Sequence, residues 1–286
     1  MAIANVVYGD FNSIGDDLTP YVDSFYPGDH VPFDRVEMAG REIVPPLLRY
    51  LDDLGIEAFV GRDLNTVAKL HRASGGRMRR LIQTNDPRYH PNATPADTMV
   101  LALMRDGVPQ GCVASRLIWC ERSLLDEMQS GRFWVMHPVS MWTESDKCIV
   151  TAPTAARIRA CQVVFTGSIY LAQGVTGGNT LAAMLRLHHL WVLSHWRWSW
   201  LVGIIEGALA RRHAFDVYGA MGLEIGIWRT RPGEGQELHK YEMTICEREA
   251  CMDLWLRPEM GLLSRSMGRP PISLLPVDGK RVECEA

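Results

Sequence analysis

The sequence predicts an α+β domain, and three segments predict it. The runs Thr98–Arg105 and Gly111–Ile118, joined across the polar pair Asp106-Gly107, read as a β-hairpin. Residues 169 to 185 read as a strand that passes through a glycine-rich turn directly into a helix. Trp200–Glu206 is a further strand; the helix predicted after it, over 207–223, carries Ala210, Ala214, Val217 and Met221 on one face and stops at Gly222.

The flanking segments extend this pattern. Ile56–Val60 is a predicted strand and Asp63–His71 a helix with Leu64, Val67, Ala68 and His71 at helical spacing. Before them, Pro20, Pro27, Pro32, Pro45 and Pro46 interrupt the chain, so only Val44–Leu54 is expected to be helical. Glu224–Arg229 and Tyr241–Cys246 flank a turn-rich stretch and read as a closing strand pair. The connection from Glu121 to Ala160 is long, with an amphipathic piece (Leu124, Leu125, Met128) and then the aromatic run Phe133–Trp142. It is expected to shape a substrate pocket, with completion of the core or a dimer contact as equal alternatives. From Pro258 onward the chain reads as a packed arm or loose end.

Composition narrows the function. With 286 residues and 47% apolar content the chain can bury a sizeable core. A net charge of −3, with Arg77, Arg79 and Arg80 as a local basic cluster only, argues against a nucleic-acid partner. The most apolar region, Leu181–Ile205, is broken by Arg186, His188, His189, His195 and Arg197 and reads as core, not as a membrane span. The N-terminus carries no basic start and no sufficient apolar stretch, so a cytoplasmic protein is expected. Seven cysteines without a Cys-x-x-Cys pair suggest reduced thiols, with Cys246 and Cys251 buried or incidental.

The glycine-rich turn carries the chemistry. Gly174, Gly177 and Gly178 let main-chain N–H groups converge, and the helix that follows adds unpaired donors and partial positive charge, a cradle suited to phosphate. A mere tight connection is the competing reading. No Gly-Lys-Ser/Thr follows, so a P-loop is excluded, and the glycine spacing does not fit a dinucleotide fingerprint. His188, His189 and His195 lack ligand spacing for zinc, and Ser168 is not in a Gly-x-Ser-x-Gly elbow.

Two motifs in this order, Gln173-Gly-Val-Thr-Gly-Gly178 and Ala214-Phe-Asp-Val-Tyr-Gly-Ala-Met-Gly222-Leu223, resemble the GNAT superfamily of acyl-CoA-dependent N-acyltransferases. The resemblance spans about residues 56 to 247; Thr176 stands at a glycine position, Arg211 where Asn is often found and Leu223 where Phe is usual. It implies a GNAT-like mixed, mostly antiparallel sheet flanked by helices, with an N-terminal extension over 1–54 packed on a domain of 55–250 and a C-terminal arm over 251–286. It further implies a splayed pair of central strands that admits pantetheine. The donor, acetyl-CoA or another acyl-CoA, would lie along Ile169 and Leu171, with its pyrophosphate on Gln173, Gly174, Val175, Thr176, Gly177, Gly178 and Asn179. Tyr218 would protonate the leaving sulfur, and close packing on CoA is its fallback role. Glu206 is the best carboxylate for a general base, with helix capping or ion pairing equally open. No metal is implied. The expected acceptor is a small-molecule amine, and a homodimer stays open. The alternatives are a long-chain N-acyl amino acid or acyl-homoserine lactone type synthase and a non-catalytic acyl-CoA-binding regulatory module.

Overall fold

The computed structural model describes residues 18–20, 34–74, 81–135, 148–172, 175, 178–206, 222–229 and 238–256. Among them, nine strands form one sheet in the order β1-β2-β3-β4-β6-β7-β9-β8-β5. The first four are β1 (Thr19–Pro20), β2 (Glu57–Gly61), β3 (Thr98–Arg105) and β4 (Val108–Cys120). The other five are β5 (Cys148–Val150), β6 (Cys161–Leu171), β7 (Trp200–Glu206), β8 (Gly222–Arg229) and β9 (His239–Glu247). Every neighbouring pair is antiparallel except β6 and β7. This is the mixed, mostly antiparallel sheet that the resemblance implies.

Alternation along the strands explains why both faces are covered. On β6, β7 and β9, Val164, Leu201 and Cys246 join one apolar cluster, while Val163, Phe165, Val202, Met243 and Ile245 join a second. Period-two residues point to opposite faces, so an apolar run this dense needs cover on both. The first face is covered by α1 (Asp34–Asp52), α2 (Leu64–Ala73), α5 (Gly178–His195) and α6 (Arg248–Trp255), and the second by α3 (Leu124–Gln129), the segment around Phe133–Val135 and α4 (Pro153–Arg157).

The predicted hairpin is present as β3 and β4, with Asp106 at φ 50° and Gly107 at φ 74°, the two positive values that a tight primed turn requires. The helix predicted from Asp63 is α2, capped by the Asp63 side chain, which accepts from the Asn65 N–H at 2.9 Å.

Several expectations are corrected. Helix α1 starts ten residues before Val44, at Asp34, and runs through Pro45 and Pro46, which sit exposed on its outer side. Val36, Ile43, Val44, Leu47 and Leu51 are buried on its inner side, and that packing outweighs the two backbone bonds the prolines forfeit. Strand β8 begins at Gly222, two residues before the predicted Glu224, while the rest of the helix predicted over 207–223, up to residue 221, lies outside the described residues. The described parts of the 121–160 connection complete a core: Phe133 and Trp134 are buried edge to face with each other, and Phe133 likewise with Phe165, while β5 pairs with β8 at the sheet edge. Cys246 and Cys251, read as reduced thiols, are joined as a disulfide with Cα atoms 6.0 Å apart, because β9 turns straight into α6 and brings residues five apart face to face. Among the described residues no helix is long and apolar enough to cross a membrane.

Candidate active site

Parallel pairing between β6 and β7 runs from Val163–Trp200 to Thr166–Gly203 and ends there. Beyond that point β6 continues to Leu171 on β4 alone, and β7 continues to Glu206 on β9 alone. Two central strands therefore part in the middle of the sheet, leaving a wedge whose walls are residues 167–171 and 204–206.

A bulge in β6 accompanies the parting. Cys112 lies opposite Tyr170 and Ala114 opposite Gly167, so Ser168 and Ile169 together face Val113. Ser168 adopts φ 52°, a left-handed conformation uncommon outside glycine, and such a residue bends its strand and re-aims the peptide groups beside it. Its carbonyl accepts from the Cys112 thiol at 3.4 Å, and its buried Oγ has no partner.

After the wedge the chain turns into α5. The Ala172 N–H donates to the Gln110 carbonyl at 2.7 Å and the Val175 N–H to the Ala172 carbonyl at 3.1 Å, which fixes where the turn begins. No acidic residue lies in the first turn of α5, so nothing there opposes an anion. Thr180 Oγ1 is 3.2 Å from the Tyr50 hydroxyl, tying α1 to this end of α5. Packing beneath is tight: a Cβ on Gly111 would come within 3.0 Å of Leu171 Cδ1, 3.1 Å of Met184 Sδ and 3.1 Å of the Tyr170 carbonyl.

Of the residues singled out from sequence, Ile169 and Leu171 lie on the β6 wall, and both pack partly buried against the first cluster. Val175 is buried in the turn, Gly178 opens α5 and Asn179 follows it, half-buried. Glu206 ends β7 opposite Tyr241, on the facing wall; its side chain is outside the described atoms. Gln173, Gly174, Thr176, Gly177 and Tyr218 lie outside the described residues.

A polar row that the sequence reading missed crosses the sheet where the strands part. Ser115 pairs with Thr166, Thr166 with Gly203 and Gly203 with Thr244, one residue from each of four adjacent strands. Ser115 Oγ is 2.7 Å from Thr166 Oγ1 and 2.7 Å from His188 Nε2. Thr244 Oγ1 occupies the space a side chain at Gly203 would need, 2.7 Å from an added Cβ. Next along β9 on the same face is Glu242, paired with Ile205, 4% exposed, with Oε2 lacking a partner. The signal was present in the sequence: Thr166 and Ser168 follow Val-Val-Phe within β6, and Glu242 and Thr244 alternate with Met243 and Ile245.

These groups do not form a hydrolase site. Ser115 and His188 are fully buried, His188 Nδ1 has no partner to orient it, and desolvation holds His188 neutral with a pKa well below the usual histidine value. Burial pushes the Cys112 and Cys120 thiols up to about 12 and Cys148 up to about 11, far from a reactive thiolate. Among the described residues no cluster of three or more His, Cys, Asp or Glu could hold a metal ion.

On the opposite face, a second set of contacts spans the two halves of the sheet. Asn85 Nδ2 donates to the Ala114 carbonyl at 3.2 Å on β4, while its neighbour Gln83 accepts from the Arg229 guanidinium on β8. Arg229 lies 3.9 Å over the Trp134 ring, Thr84 donates to the Phe133 carbonyl at 3.2 Å, and His90 Nε2 is 2.9 Å from the Trp134 carbonyl. The segment 83–90 and the aromatic pair thus bind each other and both sheet halves.

No family model matches the sequence, and no curated protein matches it. Among solved structures, the chain is similar to FeeM, an N-acyl amino acid synthase from uncultured soil microbes, at 10% identity and TM-score 0.40, covering 74% of this chain and 98% of that one. It is similar to an uncharacterized protein of Bacillus halodurans at 10% identity and TM-score 0.37, covering 72% and 92%. It is similar to RimJ of Mycobacterium smegmatis, solved with CoA-disulfide, at 10% identity and TM-score 0.39, covering 74% and 90%. At these scores the functional reading rests on this chain's own residues.

Proposed function

We propose that this protein is an acyl-CoA-dependent N-acyltransferase that joins an acyl group to the amine of a small molecule by direct attack. The observation that carries the reading is the parting of β6 from β7 after Thr166–Gly203, with the bulge at Ser168 on the wall that leads into the start of α5. An extended arm such as pantetheine needs a slot that supplies backbone hydrogen-bond partners along one edge, and the edge of 167–171 turned away from β4 meets no strand among the described residues.

The chemistry follows from the reactants. An alkyl amine with a pKa near ~10.4 is mostly protonated at neutral pH, so the attacking form must lose a proton. The thioester carbonyl gains negative charge as the C–N bond forms, and a fixed peptide N–H beside it stabilises that charge. The re-aimed backbone of the bulge is the source of such a donor. The C–S bond then breaks and the thiolate takes a proton, the role the resemblance assigns to Tyr218. The turn over Gln173–Asn179 and the N–H groups of α5 would hold the pyrophosphate, as helix N-termini do. Acetyl is the default acyl group.

Calorimetric titration with acetyl-CoA and octanoyl-CoA, with CoA as reference, tests this. Saturable binding supports the cradle, and the preference between chains separates a short-chain transferase from a long-chain synthase. Absence of binding to all three rejects both. Tyr218→Phe should keep donor affinity and lower turnover by roughly 10² to 10⁴; donor binding without thiol release in the presence of any amine would identify a binding module instead.

A further inference from the structure

We propose that Glu242 is the carboxylate that takes the proton from the acceptor amine. This deepens the acyltransferase reading and rests on it. Two independent observations single it out. The first is position: Glu242 pairs with Ile205, two residues beyond Gly203, where β6 and β7 part, and so flanks the β7 wall of the wedge from β9. The second is its state: the residue is 4% exposed and Oε2 has no hydrogen-bond partner.

A buried carboxylate oxygen without a donor is unfavourable in the ligand-free fold, and proteins keep few of them. The groups around it in register do not satisfy it: Ile205 on β7 and Ile225 on β8 are apolar. What would satisfy it is a donor brought by a ligand. A primary amine fits, because its N–H groups are donors and its conjugate acid carries the opposite charge. Ser168, on the β6 wall of the same wedge, is a second buried oxygen without a partner.

In the step itself the amine nitrogen attacks the thioester carbon and the C–N bond forms. The proton on that nitrogen passes to Glu242, the C–S bond breaks, and the sulfur leaves with the electron pair and is protonated by the general acid. Glu242 then gives its proton to solvent and the general acid regains one, so atoms and charge balance with an acyl-CoA and a primary amine as the only reactants. Glu206, at the end of β7, caps the wall in this arrangement, while Glu242 sits beside its middle.

The test compares the full-length protein with Glu242→Gln and Glu242→Asp. Acetyl-CoA and octanoyl-CoA serve as donors, ethanolamine, tyramine and spermidine as probe amines, and release of free thiol as the readout; donor affinity is measured on each protein by calorimetry. Glu242→Gln, nearly isosteric, is expected to lower kcat/KM for the amine on the order of 100-fold while donor affinity stays unchanged, and Glu242→Asp to fall between. If the Gln variant loses donor affinity, the Asp variant decides. Turnover of the amine within about threefold of wild type in both variants would overturn the role of Glu242 and leave the transferase reading standing. Wild-type protein that binds a donor but releases no thiol with these amines would overturn both roles, and wild-type protein that binds no donor rejects the underlying reading itself.

Discussion

Single residues decide where this sheet can be crowded. Gly203 is a glycine because Thr244 Oγ1 and the Thr166 carbonyl, 2.7 and 3.3 Å from where a Cβ would stand, already fill its side-chain space. Gly203→Ala should therefore destabilise the fold by about 1–3 kcal/mol, read from the urea midpoint, and Thr244→Ala in the same chain should recover part of the loss. The buried histidines make a second expectation. Desolvation lowers His90 to about 4 and His189 to about 3, so the folded state binds protons later than an unfolded chain near the usual 6.5. Their stabilisation is complete above pH 6.5 and is lost as pH falls from there through 4, at up to about 1.4 kcal/mol per pH unit for each ring. Urea midpoints should hold level from about pH 7.5 to 6.5 and fall from there to about 4.5, and a profile flat throughout would contradict buried neutral rings. Polar residues inside apolar strands were the least legible part of the sequence. Thr166, Thr244 and Glu242 read individually as scatter, and only register reveals that Ser115, Thr166, Gly203 and Thr244 form a row.

Elements were legible wherever the sequence carries its own punctuation. The hairpin at Asp106-Gly107 and the capped helix after Asp63 need no tertiary information, because their turn and cap chemistry are local. Helix α1 was not, since proline in its interior argues against it locally and only the face it buries argues for it. The parting of β6 and β7 is also invisible to periodicity, because a polar break such as Thr166-Gly167-Ser168 does not say which neighbour a strand has lost; the motif resemblance alone anticipated it. Two expectations belong at this scale. Phe133→Ala should cost about 3–5 kcal/mol, as its fully buried ring joins Trp134 and Phe165 and couples the 121–160 connection to the sheet. Tyr50→Phe removes one half-buried bond from α1 to the start of α5 and should cost about 0.5–1.5 kcal/mol, with weaker donor binding if α1 steadies the phosphate end. Thermal melts and donor titrations of the two variants separate core from site.

At the scale of the molecule, the wedge has a consequence for how a ligand enters. In a sheet whose central strands pair along their whole length, a guest can reach the interior only by breaking ladder bonds, and its apparent affinity is reduced by the rarity of the opened state. Here the ladder already ends at Thr166–Gly203, and each strand holds its other neighbour past that point. Under the proposed function, a donor arm lying along this edge would break no ladder bond between β6 and β7 and would pay little to order the protein around it. Amide hydrogen exchange should then report slow exchange in β4, β6, β7 and β9 both with and without acyl-CoA. Protection gained on binding should concentrate on the edge of 167–171 and the first turn of α5, as though a non-peptide strand had been laid beside β6 where β7 leaves it.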